Sequence, residues 1–163
     1  MTHPSVSRIT NRFAVPPWTE ASPPWQALDR KLPPDHKARM IDQFVNQLDL
    51  SELEAAYRGV GSEPHRPDLM LKVAMYETLE GHLAPGAWAR HLHDHLPLQW
   101  LALGIQPSRT AWYNFRDRLG YVVDALLADF LGTARPGVTD TFKASKVCST
   151  AAPFEPKPRV IAW

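Results

Sequence analysis

A chain of 163 residues with 44% hydrophobic side chains, six Trp and six Phe is the size of one ordinary domain, and it can bury a core without a structural metal or disulfide. One cysteine excludes an intramolecular disulfide, and neither a secretion signal nor an apolar run of membrane-spanning length is present, so we expect a cytoplasmic protein with no membrane partner. The net charge of +1 excludes a uniformly basic or acidic surface, but residues 35–80 carry −4 and residues 81–120 carry +2, so an anionic partner would prefer the second half or the basic ends.

The first 34 residues form a proline-rich arm. They hold seven of the sixteen prolines, and each proline removes a backbone donor and fixes φ, so no regular helix or strand is expected there. Trp18 and Trp25 are expected to dock the arm on the domain, because exposed tryptophan is unfavourable.

Two helices are predicted after the arm. Asp35 is suited to cap the first, in which apolar residues recur at helical spacing: Met40, Ile41, Phe44, Val45 and Leu48. Ser51 and Glu54 form a capping-box pattern at the start of a second, short helix, and Gly59 supplies its stop.

The most apolar helix of the chain is predicted next. Pro67 suits a first helical turn, and the segment DLMLKVAMYETLE then continues to Gly81, so this helix should lie at the centre of the core. His65 and Arg66 are expected to fix its start rather than to act as acid or base, because neither a nucleophile nor a carboxylate pair lies near them in sequence.

Further helices complete the domain. WARHLHDH is expected to form about two turns closed by Pro97, and LQWLALG a short helix that ends at Gly104. Ser108 is suited to cap RTAWYNFRDRL, a helix that can run on through Gly120 into YVVDALLADFL.

The predicted fold class is all-α, a small multi-helix bundle with irregular ends, because no window before the tail alternates as a strand does. We divide the chain into the arm, residues 1–34, the helical domain, residues 35–132, and a tail, residues 133–163. The tail mixes Gly, Pro, Ser, Thr and Lys without a period and is expected to be irregular.

The last helix has two contrasting sides. On a helical wheel its apolar residues gather on one side: Ala111, Trp112, Phe115, Leu119, Val122, Val123, Leu126 and Phe130. Arg109, Tyr113 and Arg116 line up on another side, and we call these three residues the arginine stripe. Two fixed cations and a phenol suit contact with phosphates or base edges, although an ordinary solvated helix face has the same pattern.

Three sequence blocks carry a resemblance to a known family. They are the opening LPPDH, the helix start HRPDLMLK with its terminal Gly81, and the block WLALGIQPSRT followed by FRDRL. In this order they resemble the helical N-terminal domain of DDE transposases from bacterial insertion sequences, over about residues 32–119. One departure argues against a phosphate contact at the turn formed by Ala84, Pro85 and Gly86, where the family has a Ser/Arg-rich segment.

The resemblance implies a DNA-binding domain that recognises the terminal inverted repeats of the element, with a helix-turn-helix-like second half. It implies a location at the nucleoid and, as protein partners, a second copy or a full-length transposase. The residues expected to contact DNA are Arg90, Arg109, Thr110, Tyr113, Arg116 and Arg118.

The resemblance also implies a later catalytic domain in which three carboxylates bind divalent metal, such as Mg²⁺. Asp140 vaguely resembles the first of these carboxylates, but only 23 residues follow it, which is too few for such a domain. We therefore expect a chain truncated before the catalytic domain, which is not an enzyme by itself and needs no cofactor. Asp140 is better explained as a loop acid in the irregular tail.

A pair of histidines raises the question of a metal site. His91 and His95 are one helical turn apart, but His93 points elsewhere and no third ligand is evident, so no metal site is predicted.

The alternative function is a protein-interaction or oligomerisation module that inhibits transposition without touching DNA, through DLMLKVAMYETLE and exposed Trp88 or Trp100. The acids of the first half, including Glu77 and Glu80, are assigned to an acidic surface that would repel DNA. The basic residues of the tail either make loose contact with the DNA backbone or belong to a degenerate remnant: Lys143, Lys146, Lys157 and Arg159.

Overall fold

The computed structural model describes residues 13–56 and 64–133, and all regular secondary structure in these ranges is helical. The helices are α1 (Pro23–Lys31), α2 (Lys37–Asn46), α3 (Ser51–Ala56), α4 (Pro67–Leu79), α5 (Pro85–Asp94), α6 (Leu96–Ala102) and α7 (Arg109–Thr133). The predicted all-α class is confirmed. None of the helices in the described ranges combines the length and the apolar character that a membrane span requires.

Helix α4 lies at the centre of the molecule, as its apolar sequence predicts. Every residue from Pro67 to Glu77 is buried, and α2, α5, α6 and α7 all pack around this helix. A helix that is apolar on all sides has no solvent face to offer, and so it becomes the element on which the others assemble.

Two of the three buried charged residues of α4 form ion pairs. At its first turn Asp68 accepts two hydrogen bonds from Arg66, at 3.1 Å from Nε and 2.6 Å from the terminal nitrogen. Farther along, the Lys72 ammonium donates to Asp42 at 2.6 Å and to Asn46 at 2.8 Å, both on α2. Such pairing is what makes burial of an ionised group tolerable. It also confirms that Arg66 fixes the start of α4.

The proline-rich arm contains a helix, contrary to prediction. Pro23 and Pro24 occupy the first turn of α1, where a missing N–H costs nothing and the fixed φ is already helical. The rings of Trp25 and Trp100 stack with their centroids 5.6 Å apart, and the Trp25 indole N–H donates to the Trp100 carbonyl. The expected docking of Trp18 is also seen, since its ring lies over Gly104, close enough that a Cβ there would come within 2.7 Å.

Several helix ends differ from the sequence prediction by a residue or two. His36, not Asp35, caps α2, because its Nδ1 accepts a hydrogen bond from the Ala38 amide. At α3 the carboxylate of Asp49 accepts bonds from the Ser51 amide and hydroxyl, in place of the Ser51–Glu54 capping box. The predicted stop of this helix, at position 59, lies outside the described residues. Pro97, expected to close α5, lies in the first turn of α6, which begins at Leu96.

Helix α7 runs for 25 residues, and Gly120 does not interrupt it. The Ser108 hydroxyl accepts a hydrogen bond from the Ala111 amide at 3.1 Å, so the predicted cap is confirmed. The apolar side of the helix is inside, where Trp112 and Phe115 are fully buried. At the far end, the ring of Phe130 packs edge-on against Phe44 of α2.

Candidate nucleic-acid interface

The arginine stripe lies on the outer side of the first half of α7. Arg109 and Arg116 are exposed and Tyr113 is half-buried, whereas Trp112 and Phe115 between them point into the core. This follows from helical spacing, because residues three, four and seven apart share a face. The helix thus has the two-sided character that its sequence predicts.

The ring of Tyr113 holds the two guanidiniums together. The Arg109 Cζ atom lies 5.6 Å from the ring centroid and the Arg116 Cζ atom lies 5.5 Å from it. Both distances are within the range of a cation–π attraction. Arg116 also approaches the Asp117 carboxylate at 3.9 Å, but both side chains are exposed, and exposed pairs at this distance contribute little. Neither arginine is buried in an ion pair.

The N-terminal end of α5 abuts this stripe. A Cβ placed on Gly86 would lie 3.1 Å from the Arg109 Nε atom and 3.5 Å from the Tyr113 hydroxyl. Glycine therefore allows the backbone of α5 to come close to both side chains. Ala84, the residue before α5, makes no side-chain hydrogen bond to the first amides of this helix.

The electrostatics of this region favour an anion. Amide groups at the first turn of a helix carry partial positive charge, and neither α5 nor α7 has an acidic residue in its first turn. The two guanidiniums of the stripe add full charges beside these helix ends. The arrangement is chemically suited to bind phosphate oxygens.

The other residues expected to contact DNA are placed less uniformly. Thr110, Arg118 and Arg90 are all exposed. Arg90 lies one turn after Gly86, on the side of α5 that approaches the stripe. Arg118 is nine residues from Arg109, which rotates it by about 180° around α7, and Thr110 is rotated by about 100°. The structure therefore does not bring Arg118 and the stripe onto one face. Asp140 and the basic residues of the tail lie outside the described residues.

The surface suggested for protein interaction is not available in this fold. Trp88 and Trp100 are 3% and 5% exposed, and α4 is covered by its neighbours. Both tryptophans belong to the core, and their polar groups are satisfied within the protein: the Trp88 N–H donates to the His82 carbonyl and the Trp100 N–H donates to the Asp29 carboxylate. The prediction that these residues form an exposed contact surface is wrong.

A second cluster of polar side chains was missed from the sequence. Glu77, assigned there to an acidic surface, is completely buried. Its carboxylate meets His82 of the turn after α4 and His91 of α5. His91 was noted for its spacing from His95, but the structure supplies Glu77 and His82 as its neighbours. The one available signal was an acid near the end of the most apolar helix of the chain.

Comparison with known proteins agrees with this description of the helical region. A family model described as Transposase domain (DUF772) matches residues 26–118, more than half of the chain. No curated protein and no solved structure is significantly similar to it. The matched range starts inside α1 and ends within α7, so it includes the complete helices α2 to α6 and the whole arginine stripe. The chain belongs to the Transposase domain (DUF772) family.

Proposed function

We propose that this chain is the DNA-binding part of an insertion-sequence transposase and that it recognises the ends of the element through the arginine stripe of α7. The observation that carries the proposal is the arrangement of Arg109 and Arg116 on either side of Tyr113, exposed and directed away from the core. Membership of a transposase family makes DNA the anionic partner to expect.

The adjoining end of α5 supports contact with the DNA backbone. Gly86 lies against Arg109 and Tyr113, so a phosphate held by Arg109 would also face the positive end of α5. Backbone contacts of this kind fix the register of a protein on the duplex, and they leave Arg116 and Tyr113 free to approach base edges. Residues 84–86, predicted to be a turn, form the start of α5, and the positive end of this helix would take the place of a side-chain phosphate ligand there.

The test is salt-dependent binding to a duplex that carries the inverted repeat flanking the gene, compared with a shuffled duplex of equal length. We expect log Kd to change linearly with log salt concentration, because binding phosphates releases counterions. Arg109→Ala and Arg116→Ala should each weaken binding by about 1–3 kcal/mol if the lost contact is to a base, and should reduce the salt slope by about 1 if it is to a phosphate.

Matched variants separate the stripe from a general charge effect. Arg30→Ala removes the same charge from the exposed face of α1 and should bind like the parent. Gly86→Asp places an acid beside Arg109 at a helix start, where acids are favourable for folding. The flexible Arg109 side chain must shift by a few tenths of an ångström to admit it, so the chain should stay folded, as circular dichroism would check, and lose DNA affinity. If Arg109→Ala, Arg116→Ala and Gly86→Asp all bind like the parent, the stripe is not the DNA site.

A second candidate function, association with another protein copy, is favoured by one observation. On the second half of α7, Tyr121 and Leu131 are 54% and 51% exposed, and the alanines at 125 and 128 lie near them on the outer side. Apolar residues grouped on an exposed helix face are suited to a protein contact. Tyr121→Lys would abolish concentration-dependent dimerisation in sedimentation experiments if this face mediates it, and it would leave DNA affinity unchanged if the stripe acts alone.

A further inference from the structure

Glu77 is a carboxylate at the centre of a polar cluster inside the protein. Its side chain is 1% exposed, and its Oε2 atom lies 2.8 Å from Nδ1 of His82 and 2.9 Å from Nδ1 of His91. The Oε1 atom lies 3.1 Å from the same nitrogen of His91. A buried carboxylate requires compensation by protons, cations or a metal ion.

The three side chains come from three consecutive parts of the chain. Glu77 belongs to the end of α4, His82 to the turn that follows, and His91 to α5. The turn is fixed at two points, by Gly81 with a φ of +87° and by the hydrogen bond from the Trp88 indole to the His82 carbonyl. The cluster is therefore built by tertiary structure rather than by one helix.

We propose that Glu77, His82 and His91 form a binding site for one divalent transition-metal ion of the zinc class. One ligand atom from each residue lies within 4.8 Å of the others, which places three potential ligands around a common point. One carboxylate oxygen and two imidazole nitrogens form a donor set that zinc accepts, with water as the fourth ligand. His82 is 41% exposed on its side chain, so the fourth position opens toward solvent.

The local geometry requires a small adjustment for the metal to enter. With zinc–ligand bonds of about 2.0–2.2 Å, ligand atoms in a tetrahedron are about 3.4 Å apart, so the present nitrogen–oxygen distances must lengthen by a few tenths of an ångström. His82 can supply this movement because it lies in a turn and is partly exposed. Each neutral imidazole would carry its proton on Nε2, so that the Nδ1 lone pair faces the ion.

The two remaining histidines of α5 are not part of the ligand set. His95 stacks on the ring of His91, with centroids 4.7 Å apart and planes 9° from parallel, and this contact helps to fix the orientation of the His91 ring. His93 is exposed on another side of the helix. Nitrogen donors also make the site unsuited to Mg²⁺ and Ca²⁺, which prefer oxygen ligands.

The test is titration of the chelator-treated full chain with Zn²⁺, followed by calorimetry and by thermal unfolding. We expect one ion per chain and a Tm that rises with zinc concentration, because an ion that binds the folded state stabilises it. Co²⁺ in place of Zn²⁺ should give the intense visible absorption of a four-coordinate site. Millimolar Mg²⁺ should give neither effect.

His82→Ala and Glu77→Gln should each weaken zinc binding by at least about tenfold, since even indirect supports of a metal site cost that much when lost. His82→Ala decides the matter if Glu77→Gln fails to fold, because His82 is partly exposed. His93→Ala is the control and should bind zinc as the parent does. A parent chain that does not bind zinc, a His82→Ala chain that binds it normally, or loss of binding in His93→Ala but not in His82→Ala would overturn the proposal. None of these results depends on DNA, so the proposed function is tested separately.

Discussion

His36 fixes the first turn of α2 through its ring. The Nδ1 atom accepts a hydrogen bond from the Ala38 amide at 3.2 Å, which it can do only while that nitrogen carries no proton. Burial lowers the pKa of His36 below its ordinary value of 6.5, and the neighbouring Lys37 cation lowers it further. Protonation is therefore easier in the unfolded chain than in the folded one.

This asymmetry predicts a loss of stability in mild acid. Because the folded-state pKa is depressed, the contribution of His36 is complete above about pH 6.5 and is lost as the pH falls below that value. Burial also lowers the pKa of His65, so His65 contributes in the same direction. Asparagine is a good cap that does not titrate, and so His36→Asn should lose less stability than the parent between pH 7.5 and pH 5.5.

Urea unfolding at the two pH values measures this difference, and His36→Ala supplies the control. It should be less stable than His36→Asn at both pH values, by about 0.5–2 kcal/mol, because it has no cap. An equal loss of stability in the parent and in His36→Asn would show that other groups carry the pH dependence.

Among the helices, α1 depends on a single side chain of α2 for much of its attachment. The Arg39 guanidinium donates to the Asp29 carboxylate at 2.7 Å and to three backbone carbonyls, those of Asp29, Leu32 and Pro33. The same group lies 5.1 Å from the ring centroid of Trp100. A planar, multidentate donor is needed here, and lysine cannot replace it.

Arg39→Ala should therefore release α1 before the rest of the molecule unfolds. We expect the amides of α1 to lose protection in hydrogen exchange, and global stability to fall by about 2–4 kcal/mol because several charge-assisted bonds are lost together. Arg30→Ala, an exposed change on α1 itself, should leave exchange in this helix nearly unchanged. Unaltered protection of α1 in Arg39→Ala would mean that the tryptophan contacts alone hold it.

Helices differ in how far the sequence reveals them. The periodic apolar residues of α2, α4 and α7 predict these helices well, because each buries one side or all sides in the core. Proline misled the prediction of α1, which Pro23 starts and was expected to prevent, and of the start of α6, which includes Pro97 in its first turn. A proline in the first turn and a proline in a loop look alike in sequence, and only the packing of Trp25 and Trp100 distinguishes them.

At the scale of the whole molecule, the charge on the folded surface differs from the charge counted along the sequence. Two of the acids in residues 35–80, Asp68 and Glu77, are buried, and so they do not contribute to an acidic surface. The arginine stripe could be predicted because it lies within one helix. Gly86 and the Glu77 cluster could not, because their neighbours come from other helices and only tertiary folding brings them together.

The Lys72–Asp42 ion pair joins α4 to α2, and removing one partner should lower the free energy of unfolding more than removing the other. Lys72 has 6% of its side chain exposed, whereas its partner Asp42 has 27% exposed. Asp42→Ala leaves a buried ammonium without its charge partner and should cost about 3–5 kcal/mol. Lys72→Met fills the same space with an apolar chain and leaves a carboxylate that water can reach, so its cost should stay below about 1.5 kcal/mol.

Equilibrium unfolding in urea distinguishes the two variants, provided that fluorescence and circular dichroism report the same transition. The two single variants are compared at the same pH. Equal losses would show that the pair is as accessible to solvent on one side as on the other.

The length of α7 gives this protein a property that no single residue has. At about 1.5 Å per residue, its 25 residues form a rod about 37 Å long. Core contacts hold the rod at both ends, because Trp112 and Phe115 are buried near its start and Phe130 packs on Phe44 near its end. If the arginine stripe binds DNA as proposed, it is therefore preassembled on a rigid helix and need not be ordered when DNA arrives.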